Sequence, residues 1–153
     1  LLSYKAYYNT NRLWRIKMIW IIRLFLLVMG LTYFAIGVWA IFDSMFDFLP
    51  SFLEAVGLSV TSEIGYSEIA GLYGGLNLCI GLMCLVGLAK EDIGIFSIKF
   101  LTFLTGSIAS GRILYSLIPA TPTFFNTFFI FEITACLLGV WFLRSLKQLD
   151  QVT

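Results

Sequence analysis

A chain of 153 residues that is 59% hydrophobic and only 12% charged is not a water-soluble domain, which would carry roughly a quarter charged residues. Ten Lys and Arg against nine Asp and Glu leave a net charge of +1, too little for a nucleic-acid binder, so the expected partners are membrane lipids and other membrane protein subunits. With no histidine in the chain, the commonest haem and zinc ligand and the commonest general base are missing, which excludes most haem, metallohydrolase and Ser-His or Cys-His mechanisms.

Residues 1–18 mix Tyr4, Tyr7, Tyr8 and Trp14 with Lys5, Arg12, Arg15 and Lys17. That composition predicts a cytoplasmic or interfacial segment at the headgroup level, with a partner surface as the rival reading. The chain does not open on Met, and Met18 is a candidate initiator. A helix needs about 20 apolar residues to cross ~30 Å of hydrocarbon, and four stretches qualify: 20–42, 67–89, 95–118 and 123–143. The first is too long for a signal-peptide core and is read as retained. Asp43, Asp47 and Pro50 follow the first span, Lys90, Glu91 and Asp92 the second, and Pro119 and Pro122 the third. In the first connection, residues 50–58 predict a short helix with Phe52, Val56 and Leu49 turned to the interface and Glu54 to water. Residues 147–153 form a tail. The expected fold is therefore an all-α integral membrane protein, a four-transmembrane-helix bundle over residues 19–146.

Nine of the ten basic residues flank the termini or the second connection, and the first connection holds four acids with no Lys or Arg. Both termini are accordingly expected in the cytoplasm. Arg23 with Gly30 and Lys99 with Gly106, then Glu68 with Gly75 and Glu132 with Gly139, are equally spaced pairs that suggest two helical hairpins sharing one plan.

Helices in lipid associate through close contact at small residues. Gly71 with Gly75, and Ala70 with Gly74 and then Gly81, offer packing stripes on the second span. Gly106 with Ser110, Ser107 with Gly111, and Ala135 with Gly139 offer them on the third and fourth. Phe124, Phe125, Phe128, Phe129 and Phe131 surround the start of the fourth span and predict lipid or partner contact. Cys79, Cys84 and Cys136 have no metal-ligand spacing and read as small buried hydrophobes.

Three ionisable residues fall within or at the mouth of spans, where a charge normally faces the bundle interior with a partner. Arg112 lies roughly 9 Å, and Glu132 roughly 13 Å, below the expected outer surface at 1.5 Å per residue, and Glu68 sits at the outer mouth of the second span. An Arg fork can take two carboxylates, so Arg112 is expected between Glu68 and Glu132, tying three helices. Tyr73, Asn77 and Tyr115 are candidates for the surrounding shell, with Thr105 and Ser116. Two readings stand: a structural ion-pair cluster, and a ligand site for an anionic or carbonyl-bearing group.

The run Arg23 to Gly30 with Gly37 and Asp43, the segment Ser67-Glu-Ile-Ala-Gly-Leu-Tyr-Gly-Gly-Leu76, and Gly111-Arg112 resemble a family of small four-span bacterial membrane proteins known only as a domain of unknown function. More distantly, Glu68 followed by glycines is similar to DoxX-like four-helix membrane proteins. The resemblance spans about residues 19–146 and is carried by Glu68, Tyr73, Gly74, Gly75 and Arg112. It implies the bundle, a bacterial cytoplasmic (inner) membrane, and a loose association with respiratory or redox assemblies.

The function expected from these features is that of a non-catalytic accessory subunit of a larger membrane complex, not an enzyme, with no catalytic residues, no metal and no cofactor. The alternative is a small-molecule, quinone or lipid-binding protein, or a proton-coupled carrier, that uses the Glu-Arg-Glu cluster.

Overall fold

The computed structural model describes residues 2–43, 51–117 and 125–150, with side chains described from residue 16 to residue 148 within those ranges. The described residues are mostly helical, with no strand among them. In chain order the elements are α1 (Leu2–Ile41), α2 (Phe52–Val56), α3 (Glu63–Ile69), a π-helical turn (Ala70–Gly75), α4 (Leu76–Gly87), α5 (Glu91–Tyr115) and α6 (Thr127–Asp150). Among the described residues four helical stretches are long and apolar enough to cross a membrane: Ile16–Ile41, Glu63–Gly87, Glu91–Tyr115 and Thr127–Gln148. Large apolar side chains such as Leu24, Leu31, Phe103, Leu114 and Leu137 are exposed, an outer surface that suits lipid and would aggregate in water.

The span ends differ from the hydropathy reading by a few residues. Charged residues lower a hydropathy window but are welcome in end turns, where they complement the helix dipole. Glu91 and Asp92 therefore open α5, and α6 runs on past Arg144 to Lys147 in its last turn. Residues 2–18, within the segment expected to be cytoplasmic or interfacial, are continuous in helix with the first span as part of the 40-residue α1. No Gly or Pro precedes Gly30 to interrupt it. Pro50, Pro119, Pro122, Leu49 and Phe124 lie outside the described residues.

The chain divides into two compact units, one of Arg23–Gly94 and the other of Leu1–Ile22 with Ile95–Thr153. In the first, α1 and α4 run antiparallel through matched glycines. A Cβ on Gly37 would lie 2.5 Å from Leu78 N and 2.8 Å from Gly74 O, and one on Gly81 would lie 2.5 Å from Phe34 N and 2.8 Å from Gly30 O. Gly30 and Gly37 are seven residues apart, as are Gly74 and Gly81. Two helical turns of seven residues return each pair to one face, so both glycines of a helix meet the same neighbour. Gly87 and Gly94 repeat the close approach at the turn into α5, with Gly94 Cα 2.8 Å from a Cβ on Gly87.

In the second unit, α5 buries Ser97, Ile98, Leu101, Thr105 and Ala109, and α6 buries Phe129, Glu132, Ala135, Phe142 and Ser145. Both sets follow the three-and-four spacing of a helix with one packed face. The hydroxyls on α5 are satisfied locally, Thr105 Oγ1 donating to Leu101 O and Thr102 Oγ1 to Ile98 O, both at 2.7 Å. Gly139 packs on Thr102, and a Cβ on Gly106 would meet Cys136 Sγ at 3.0 Å. The three cysteines are free thiols.

Candidate functional site

Along the α5–α6 seam the residue numbers in contact run in opposite directions, Thr102 with Gly139 and Gly106 with Cys136. Followed toward the third connection, that register brings Arg112 opposite Glu132. Arg112 lies in the last turn of α5, where a cation complements the exposed carbonyls. Glu132 follows the start of α6, where Asn126 Oδ1 accepts from Phe129 N at 3.0 Å and so satisfies a free amide of the first turn.

Arg112 Nε donates to Glu132 Oε2 at 2.8 Å and Arg112 Nη2 to Glu132 Oε1 at 2.9 Å. This is the paired, bidentate form of the Arg–carboxylate interaction. The side chains are unequally covered, 35% exposed for Arg112 and 9% for Glu132. Arg112 precedes the last residue of α5 by three positions and Glu132 follows the first of α6 by five, which places them ~5 Å and ~8 Å inside the helix ends at 1.5 Å per residue. The pair is thus shallower than the hydropathy windows implied, because α5 ends at Tyr115 and α6 begins at Thr127.

The other expected members are distributed differently. Tyr115 is exposed on the same turn as Arg112, and Ser116 Oγ donates to Ile113 O at 2.6 Å. Glu68 is an exposed residue of α3 and belongs to the other unit, so within the α5–α6 unit the tie joins two helices. Tyr73 lies in the π turn, and Asn77 Nδ2 donates to Tyr73 O at 2.6 Å. Asn77 therefore has a local backbone role.

Among the expected packing residues, Gly74 meets Ile41, Gly106 meets Cys136 and Gly139 meets Thr102. A Cβ on Gly71 or Gly111 would meet nothing within 4 Å, and one on Gly75 only its own helix. Ser110 is exposed and its Oγ donates to Gly106 O at 2.8 Å. Phe103, Ser107, Ser110, Gly111 and Leu114 line a shallow open groove along α5.

Sequence reasoning missed a second cluster, in the α1–α4 unit. Asp43 accepts from Phe52 N at 2.8 Å and from Ser51 Oγ at 3.0 Å, so an acid beyond the end of α1 caps the start of α2. Phe52, only 3% exposed, lies edge-on to Trp39 at 5.4 Å and to Tyr73 at 5.6 Å. The Trp39 indole N–H is buried and has no acceptor among the described residues. Ser51 before an apolar helix start was the available signal, but the capping acid lies eight positions away in sequence. Among the described residues no three Cys, Asp or Glu gather in a way that would hold a metal ion.

Comparison with protein-family models, with curated proteins and with solved structures gives no match to this chain.

Proposed function

We propose that this protein is a non-catalytic accessory subunit of a membrane complex, and that it docks on a partner helix through the open face of α5. The observation that carries the reading is the α5 groove, in which Ser107, Ser110 and Gly111 form a small-residue floor between Phe103 and Leu114. Helices in lipid associate where small residues allow the backbones to approach, and a Cβ on Gly111 has open space before it. Gly106 and Gly139 show the same residue type in use inside the unit, so the free stripe is surplus to the chain's own packing. Nine of ten basic residues on one side of the spans support placing both termini in the cytoplasm of a bacterial inner membrane. The resemblance to the small four-span family rests on Glu68, Tyr73, Gly74, Gly75 and Arg112.

The test is the native mass and composition of the particle after gentle detergent extraction, for the wild type and Gly111→Leu. The leucine projects into open space, so the chain folds while the groove is filled. A defined hetero-complex that loses its partner in the variant is the expected result. A wild-type chain that runs alone, or an unchanged complex in Gly111→Leu, overturns the reading.

A further inference from the structure

Among the described residues, the ion pair near the third connection leaves one side of the Arg112 fork without a partner. A guanidinium carries five N–H donors in a fixed plane, and Glu132 takes two of them, from Nε and Nη2. Those two form the side edge of the fork. The end edge, made of one Nη1 hydrogen and the second Nη2 hydrogen, and the remaining Nη1 hydrogen directed toward the Cδ side have no partner among the described residues. Arg112 is also the member that is a third exposed, while Glu132 is covered. Buried deep in hydrocarbon, three unmet charged donors would be prohibitive; in water they would need no partner. Arg112 is only ~5 Å inside the helix end at the helical rise, so its long side chain can extend to the level of lipid glycerol and phosphate groups, with exposed Tyr115 on the same turn.

We propose that the free end edge of Arg112 binds the phosphate of a phospholipid headgroup. Two parallel N–H groups match two phosphate oxygens as they match two carboxylate oxygens. Glu132 occupies the other edge, so carboxylate and phosphate lie in the guanidinium plane at different edges and fix its orientation between them. Arg112 is not among the residues that line the α5 groove. Its charge logic has a specific consequence: Glu132 holds the Arg in place but repels the anion, so removing the carboxylate charge strengthens binding while removing the fork weakens it. A purely structural ion pair predicts damage from both changes.

The experiment uses the full chain, stripped of lipid in neutral detergent and offered phosphatidylglycerol together with a phosphate-free diacyl glycolipid of the same chain length. Retained lipid is read by native mass spectrometry, with circular dichroism to establish the fold of each variant. Wild type is expected to keep one phosphatidylglycerol in preference to the glycolipid. Arg112→Lys is expected to bind about tenfold more weakly, since an ammonium cannot present paired donors. Glu132→Gln is expected to bind about fivefold more tightly, one repulsive charge having been removed at a partly wet site. Equal retention of the glycolipid overturns the proposal, as does a folded Glu132→Gln that binds no more tightly. If Arg112→Lys fails to fold, the Glu132→Gln arm still decides. Displacement of the lipid by millimolar inorganic phosphate assigns the edge to a free anion and overturns the lipid as its occupant. A wild-type chain that keeps no phospholipid overturns it too, and leaves the edge to a carboxylate from a protein partner.

Discussion

Where α1 meets α4, a Cβ added to Gly37 would strike the backbone of Leu78; where α5 meets α6, one added to Gly139 would strike the side chain of Thr102. Both seams pair antiparallel membrane helices and both use glycine, yet they fix the distance between helices by different means. In the first, backbone faces backbone and nothing can rotate out of the way. In the second, hydroxyl, thiol and methyl groups fill the gap, and the far end is pinned by a charged fork. Glycine spacing alone therefore does not say how tightly a pair is held; the neighbour's atoms decide it.

The sharpest way to break this contrast is at the backbone contact. Gly37→Ala and Gly81→Ala should each destabilise the chain by about 3 kcal/mol, the upper range for overpacking without relief, read as a lowered midpoint of denaturant-driven unfolding in detergent. Next in size is Arg112→Leu, which leaves Glu132 covered and unpaired. The expected loss is about 2 kcal/mol, reduced from the fully buried case by Arg112's exposure. Arg112→Leu with Glu132→Leu should recover to within ~1 kcal/mol of wild type, because no charge is then stranded. Failure of the double variant to recover would mean that the fork has a role in folding beyond its own charge balance.

Gly139→Ala should cost only ~1 kcal/mol, since Thr102 can change rotamer at the expense of its bond to Ile98 O. A loss equal to that of Gly37→Ala would erase the distinction between the seams. Smallest is Gly111→Ala, in mid-helix with open space before it. In the isolated chain it should raise stability by ~0.5–1 kcal/mol through helix propensity.

The spans were legible because lipid imposes a long apolar run, and their ends were less so because hydropathy penalises the very charges, Glu91 and Lys147, that helix termini favour. The Arg112–Glu132 pair was legible for a related reason, since a charge at that depth needs a partner and few are available. Glu68 was joined to the same cluster by its sign, its place at the outer mouth of the second span and its helix face; its exposure was not readable from these. The first span carried an unread signal. Gly30 and Gly37 have the same separation as Gly74 and Gly81, and matching those intervals would have singled out Gly74 over Gly75. The π turn at Ala70–Gly75 left no trace beyond its glycines, and the capping of α2 by Asp43 needs the chain to fold back before it exists.

The order of synthesis treats the two seams unequally. The α1–α4 contact is complete in sequence once residue 87 has been joined to the chain, before any of α5 is made. Arg112 has no such company, because its carboxylate partner is 20 residues behind it. At the ~5–20 residues per second of a growing chain, that interval is about 1–4 s. For that time the guanidinium must be sheltered by water, by the insertion machinery or by a headgroup, and its place near a helix end keeps all three within reach.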